Sequence, residues 1–570
     1  MVPPIVAPDA DVITFSVKIN DRELGDDYPI LGIRVRKELN RIASARLHLL
    51  ETDVAAAAFT TDDPAVFRPG QPVEILMGYH GETQTVFKGI IVQNQNDAEE
   101  ETETGLILEC RDQAFRMTAP LQSRHFNDLT DTDLAEQLLA GNELRDTEIE
   151  ASSLMHAEIT QHNQSDWDFV VSRLDAIGYS CLTNDNRLIA RPLPTALPDS
   201  AVVATFTYGE NLIAFSSETD ARTQPNGVTV ASWDPQNQEV QETEASEPAQ
   251  TGQGGNVDAS VLSNASGNRP LHISYPGRLT RQEQQALADA RLLKSRLSRV
   301  RGRLKTTGTT TVLPGQIIRI ERIGGRFDGN HLVSAVEQEF ENGGWVTIIR
   351  FGLPSEQFFA ETIQPQSPTA AVGALSATPG LQIGVVTQID NDPQGEFRVK
   401  VRLPLIDAAG EGIWTRVATL DAGNGRGTFF YPEIDDEVII GFISNDLRNP
   451  VLMGMLHSSA KPAPLTPAAQ NPEKGYVSRE GMKVVFNDDQ KSVTILTPGG
   501  NTLMVSDNDR KVQVEDQSGN TIVLDGGGVT IQSTSRVTIK ASGNLSIEGT
   551  QISIQATGVL ELKGALVQIN

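Results

Sequence analysis

The stretch Val529-Thr-Ile-Gln-Ser-Thr-Ser-Arg-Val537-Thr-Ile-Lys-Ala-Ser-Gly-Asn-Leu545-Ser-Ile-Glu-Gly-Thr-Gln-Ile552-Ser-Ile-Gln-Ala-Thr-Gly-Val-Leu560-Glu-Leu562 decides the architecture. Its apolar-x-apolar triplets start at residues 529, 537, 545, 552 and 560, in steps of 8, 8, 7 and 8, with Gly, Asn and Ser between them. Looser triplets precede it, Val493-Thr-Ile, Leu503-Met-Val, Val512-Gln-Val and Ile522-Val-Leu, and no aromatic residue follows Phe486. A strand of three to five residues buries one face. A period of eight is too short for the roughly 20 or more residues per coil of a single-chain β-helix. Three chains wound together supply the missing sides and close the ladders between chains. The expectation is an intertwined trimeric β-helix needle with a core of Val529, Ile531, Val537, Ile539, Leu545, Ile547, Ile552, Ile554, Leu560 and Leu562. A narrow prism admits branched aliphatics and not rings. The competing reading is an ordinary single-chain β-sandwich, which needs no regular octads.

N-terminal to the needle, the Pro-rich stretch from His457 to Pro472 reads as a linker. Before it lie five short strands in about 75 residues, the size of an OB-type barrel: Gly384-Val-Val, Phe397-Arg-Val-Lys-Val, Ile413-Trp-Thr-Arg-Val, Glu437-Val-Ile-Ile-Gly-Phe and Val451-Leu-Met. A second Pro/Ala/Gln-rich linker covers residues 354–380. Residues 11–112 alternate apolar and polar with period two, as strands of a barrel or sandwich do. Helices are expected at Asp131–Gly141, at Ser165–Gly178 with Ser165 as N-cap and an apolar stripe of Trp167, Val170, Val171, Leu174 and Ile177, and at about Arg281–Leu297. Asp166 and Asp168 suit the helix dipole and, two residues apart, do not face each other as a catalytic pair. Residues 235–268 read as a long polar loop. One phrase recurs: Pro69-Gly-Gln, a strand, then Phe87-Lys-Gly-Ile-Ile, and Pro314-Gly-Gln, a strand, then Phe327-Asp-Gly with Val333-Ser-Ala-Val. A duplicated barrel is the economical explanation. The fold class is mainly β: tandem barrels with inserted helices, an OB barrel and the needle.

The 570 residues carry 47 basic and 74 acidic side chains, a net charge of -27 that repels phosphate backbones. Two cysteines, Cys110 and Cys181, form no repeated metal-ligand spacing, and the eight histidines fall into no HExxH or Ser-His-Asp phrase. No catalytic residue, metal site or cofactor is expected. The N-terminus has no basic-then-apolar leader and no run of about 18 apolar residues occurs, so synthesis in the cytoplasm without a signal peptide is expected. Gly423-Asn-Gly-Arg-Gly427 lacks the Lys-Ser/Thr pair and helix of a phosphate loop and reads as a turn. Trp414, Phe429, Phe430 and Tyr431, with Arg398, Lys400, Arg402 and Arg416, could serve a nucleic-acid-binding barrel, but rings filling a small barrel and its loops and the net acidity argue against a nucleic-acid partner.

In this order the pieces resemble the VgrG-type spike of contractile injection systems, equivalent to a phage baseplate hub fused to the phage cell-puncturing spike. The resemblance rests on Pro69-Gly-Gln with Phe87-Lys-Gly-Ile, Asn163-Gln-Ser-Asp-Trp-Asp-Phe169, Phe327-Asp-Gly with Val333-Ser-Ala-Val, Trp345 with Arg350-Phe-Gly-Leu353, Gly384-Val-Val, Arg398-Val-Lys-Val, Asp436-Glu-Val-Ile-Ile-Gly-Phe442, Asn449-Pro-Val and the octads. It implies a hub at residues 1–365, a linker at 366–380, an OB-fold collar at 381–457, a linker at 458–474 and a needle at 475–570. It further implies a non-enzymatic homotrimer whose six similar barrels adapt a sixfold inner tube to a threefold membrane-puncturing needle. Its partners would be the inner tube protein, baseplate proteins, a PAAR-type tip protein on Leu566, Val567, Ile569 and Asn570, and effector cargo. The particle would be released or exported on firing. Three departures are expected to matter. The roughly 17 residues between barrel and needle leave no room for the lysozyme domain of the phage protein. The last histidine, His457, precedes the needle, so an iron-binding His-x-His apex is not expected. The chain ends at Asn570 without an effector extension, which leans toward an extracellular phage-tail-like particle. The alternative function is a trimeric β-helical tailspike that binds or depolymerises polysaccharide. Such an enzyme needs carboxylates roughly 5 to 9 Å apart in an aromatic-lined groove, and the needle offers isolated Glu548 and Glu561.

Overall fold

The computed structural model describes residues 12–50, 65–97, 105–142, 144, 146–234, 239–249, 252–275, 279–354, 380–407 and 409–569. The linker expected at 366–380, apart from residue 380, and the terminal Asn570 lie outside them. Among the described residues strands hold 44% and helices 12%, so the class is mainly β. The chain divides into two compact units, residues 1–456 and 457–570.

The first unit is built on one 13-stranded sheet. Its N-terminal half runs from Ile30–Glu38 through Ser44–Leu50, Gly105–Arg111, Glu82–Asp97 and Pro72–Tyr79 to Ile13–Ile19. Its other half runs from Gly329–Glu341 through Gly344–Phe351 and Val300–Thr307 to Ala214–Thr219, with Ile317–Glu321 and Val202–Thr207 branching from the first of these. The halves meet where Gly32 through Glu38 pair antiparallel with Glu341 through Ala335. Each half curls over its own core. One packs Leu47, Phe67, Ile75, Met77, Phe87 and Leu108; the other packs Phe206, Leu304, Ile318, Ile320, Val333 and Phe351. The tandem barrels are thus two rolled halves of a continuous sheet.

The repeated Pro-Gly-Gln phrase is a repeated structure. Gly70 N–H donates to Ile91 O (2.7 Å) and Ile91 N–H to Gln71 O (3.0 Å); Gly315 N–H donates to Val333 O (2.8 Å) and Val333 N–H to Gln316 O (2.9 Å). Both glycines take positive φ, 94° and 86°, where an L side chain is strained. Pro72 pairs with Ile90 as Ile317 pairs with Leu332, and in both copies a bulge follows, between Ile91 and Gln93 and between Val333 and Ala335. The Phe-x-Gly parts do not coincide. Phe87 lies inside a strand and is fully buried, whereas Phe327 sits in the turn before one, its N–H bonded to Gly324 O. Strand register, not the aromatic spacing, carries the duplication.

Between the halves lie α1 (Asp131–Gly141) and α2 (Asp166–Ala176). Ser165 caps α2: its Oγ accepts from Asp168 N–H (3.1 Å) and donates to Asp168 Oδ2 (2.7 Å). Trp167, Val170, Val171 and Leu174 are buried as the stripe predicts, and Phe169 is buried beside them. Asp166 is itself 5% exposed and structural, accepting from Arg124, Gln161 and Asn142. The segment expected as a loop at 235–268 contains a strand, Glu239–Glu244, and α3 (Ala259–Ala265). The strand forms because Val228–Asp234 offers a ladder and Thr243 can be buried, a tertiary gain that polar composition hides. The fourth helix, α4 (Arg281–Leu297), opens with a Thr280/Glu283 capping box.

Residues 382–455 close a five-stranded barrel from Gln382–Gln388, Val399–Arg402, Ile413–Val417, Pro450–Met455 and Glu437–Phe442 around Val386, Val399, Val401, Val438, Ile440 and Leu452. Asp435 takes φ 70° before the last-named strand, a left-handed turn that a short polar side chain tolerates where glycine would be easiest.

Candidate functional site

Residues 473–532 form a seven-stranded antiparallel meander, Glu473–Val477, Lys483–Asn487, Ser492–Leu496, Thr502–Ser506, Lys511–Glu515, Thr521–Asp525 and Gly528–Gln532, each strand five residues long. Cross-strand partners align by type. Phe486 faces Val493, Ile495 faces Leu503, Val505 faces Val512, Val514 faces Ile522, and Leu524 faces Val529. One face is therefore a continuous apolar stripe across six strands, and it is the open face. Val512 and Val514 are 37% and 43% exposed, while Lys511, Gln513 and Glu515 between them are half-buried. The hydrophobic effect drives apolar surface out of water, so a sheet with its burial inverted against its hydropathy is missing a neighbour.

Of the ten core positions expected from the octads, Val529 and Ile531 end this stripe, paired with Leu524 and Ile522. Val537, Ile539, Leu545, Ile547, Ile552, Ile554, Leu560 and Leu562 lie beyond it in residues 533–569, which form no strand ladder among the described residues. All ten are between 52% and 67% exposed. Leu566, Val567 and Ile569, the expected tip positions, are exposed as well. The stripe also includes Phe486, Val493, Ile495, Leu503, Val505, Val512, Val514, Ile522 and Leu524; the same triplet pattern marks most of them.

Turn chemistry separates meander from octads. Lys491 and Arg510 close four-residue turns at φ 47° and 50°. Gly500 and Gly519 (91° and 79°) sit in five-residue turns where Thr497 N–H donates to Asn501 O and Asp516 N–H to Asn520 O, both at 3.0 Å. The Oδ1 atoms of Asn501 and Asn520 then accept from Gln517 N–H (3.1 Å) and Thr534 N–H (3.0 Å) on the next turn. Lys491 and Arg510, Gly500 and Gly519, and Asn501 and Asn520 lie 19 positions apart (510 less 491, 519 less 500, 520 less 501), a hairpin repeat that the strand triplets alone do not display. Such turns reverse the chain on itself. The octads leave three residues between five-residue strands.

Elsewhere the polar side chains serve structure. Arg398 is held by Asp392 (2.6 Å) and Lys400 by Glu411 (2.5 Å), with Trp414 beneath both cations. Phe429 and Phe430 stand on the loop that follows the hairpin of Ala422–Gly423 and Arg426–Gly427, 82% and 52% exposed, while Tyr431 packs on the core. Cys110 and Cys181 are fully buried, and burial pushes the Cys181 thiol up to about 12. Glu561 pairs with Lys563 and Glu548 accepts from Ser546. Among the described residues no His, Cys, Asp or Glu cluster is arranged for a metal, and no helix is long and apolar enough to cross a membrane.

Residues 9–342, more than half of the chain, match the Alg8 N-terminal domain family, and residues 382–457 match the type VI secretion system/phage-baseplate injector OB domain. The chain is 26% identical over 246 residues to the type VI secretion system spike protein VgrG1b of Pseudomonas aeruginosa, covering 40% of this chain and 32% of that protein. To VgrG4b of the same organism it is 31% identical over 121 residues, 20% and 14% of the two chains. It thus spans about a third or less of the curated relatives it matches. The fold resembles the VgrG structure solved as the half-lidded Francisella PdpA–VgrG complex, with TM-score 0.55, 10% identity, and 93% and 89% of the two chains covered.

Proposed function

The chain belongs to the Alg8 N-terminal domain family, and we propose that it is a VgrG-type spike protein that assembles as a homotrimer at the tip of a contractile injection machine. Residues 1–365 act as the hub on the inner tube and baseplate, 381–457 as the collar and 475–570 as the needle, joined by linkers at 366–380 and 458–474. The observation that carries this reading is the open apolar stripe of the meander and its continuation through the octads. A threefold axis lets each chain cover the stripe of the next, and three copies of Val529 through Leu562 fill one another's cores. The two equivalent turn-and-bulge units at Pro69 and Pro314 support the tube role, since three chains with two such halves present six similar surfaces to a sixfold ring. The spike works mechanically and catalyses nothing; contraction supplies the energy to pass the target membrane. Leu566, Val567, Ile569 and Asn570 receive a PAAR-type tip protein. Effector cargo is a second class of partner, in keeping with a fold neighbour solved in complex with another protein, PdpA.

Light scattering of the full chain and of the chain lacking residues 475–570 tests the reading. The expected mass is three times 61.7 kDa for the full chain, with dissociation on removal of the needle. A full-length monomer overturns it.

A further inference from the structure

A buried line of alternating charges ties the helices of the first unit to its closed barrel. Arg173 of α2 donates Nε to Asp131 Oδ1 at the start of α1 (2.5 Å). Asp131 Oδ2 lies 3.0 Å from His156 Nε2, and His156 Nδ1 lies 3.3 Å from Glu283 Oε1 in the first turn of α4. The same Glu283 oxygen accepts from Arg448 Nη1 at 3.0 Å. Arg448 belongs to the loop between barrel strands Glu437–Phe442 and Pro450–Met455, where its Nη2 also donates to Asp446 Oδ2 and to the Tyr275 hydroxyl, each at 3.0 Å. Asp131, His156 and Arg173 are 1%, 6% and 5% exposed. The groups that face His156 are therefore Asp131 from α1, Arg173 from α2 and Glu283 from α4, with Arg448, Asp446 and Tyr275 behind Glu283. A neutral imidazole has one N–H and can donate to one carboxylate; only the imidazolium donates to both.

We propose that His156 is a proton-operated tie: charged, it clamps α4 and the barrel loop to α1 and α2; neutral, it releases one carboxylate and loosens the barrel's attachment. Burial opposes charge on His156, but the hydrogen bonds to Asp131 and Glu283 outweigh it and raise its pKa above the ordinary 6.5. Burial likewise opposes ionised Glu283, yet His156, Arg448 and the Thr280 N–H bring it to about 2. A histidine raised in the folded state contributes its stabilisation fully below 6.5 and loses it as pH climbs through the folded value. The carboxylates set the acid limit, where the tie fails as Glu283 protonates toward pH 2. The tie therefore holds at and below the ordinary histidine range and slackens as pH rises through the raised His156 value. It stands apart from the trimer reading, because every member lies within one chain.

Amide hydrogen exchange of the full chain between pH 6 and 9, with rates divided by intrinsic rates, tests the tie. Peptides spanning 281–297 and 443–452 are expected to lose protection in a single step across that range. His156→Gln abolishes the step. Glu283→Gln, which can still accept from Arg448, moves its midpoint to lower pH. A wild-type profile without a step, or a step that survives His156→Gln, overturns the proposal. If His156→Gln does not fold, an unmoved midpoint in Glu283→Gln overturns it equally.

Discussion

Strand Pro72–Tyr79 in the first unit and strand Lys511–Glu515 in the second have the same period-two pattern and opposite fates. Val73, Ile75 and Met77 are at most 2% exposed; Val512 and Val514 are 37% and 43% exposed. The pattern dictates a strand with one apolar face in both. In the first unit the chain returns, through strands as remote as Gly329–Glu341, to cover that face. In the second it only zigzags and leaves that face open. Alternation specifies which face is apolar; chain topology decides whether one molecule can bury it.

The contrast can be broken by substitutions on either side. The largest effect is expected from Ile531→Asp, which in the proposed trimer puts three carboxylates into the core at a cost of several kcal/mol per ion. Light scattering should show loss of the trimer with the melting of the first unit unchanged; retention of the trimer would contradict the intertwined core. Ile75→Ala, by contrast, should destabilise the first unit by about 2–5 kcal/mol in a denaturant titration and leave the oligomeric mass alone. The two rolled halves can be compared directly with Gly70→Ala and Gly315→Ala. Neither has a close neighbour to a new Cβ, so each should cost about 1–3 kcal/mol from positive φ alone, and unequal losses would weaken the equivalence. The smallest effect is expected from Ser165→Ala, about 1 kcal/mol from loss of the α2 cap, measurable as faster amide exchange at Asp168.

The boundaries of α1, α2 and α4 were legible because local capping chemistry at Thr130, Ser165 and Thr280 determines them. The OB barrel was legible because its strands follow one another closely. Strand Glu239–Glu244 was not, since its ladder partner rather than its composition stabilises it. The joining of the hub halves was hidden for the same reason: the pairing of Val35 with Gln338 spans 303 residues, 338 less 35. The apolar stripe was legible in part. Its triplets were visible, but the change from hairpin reversals to octads at Ser533 depends on turn lengths. The line of charges through His156 left no trace, because its members come from separate segments between Asp131 and Arg448.

The hairpin repeat of the meander has a consequence for growth. Because the turns closed by Thr497 N–H on Asn501 O and by Asp516 N–H on Asn520 O recur 19 residues apart with the same backbone bond, a 19-residue cassette joins like to like. Duplicating or deleting one would change the sheet by two strands, about 10 Å, and leave every other pairing in register. Reach could then be inherited in fixed quanta, by slippage of a short stretch of gene, without redesign of the parts on either side.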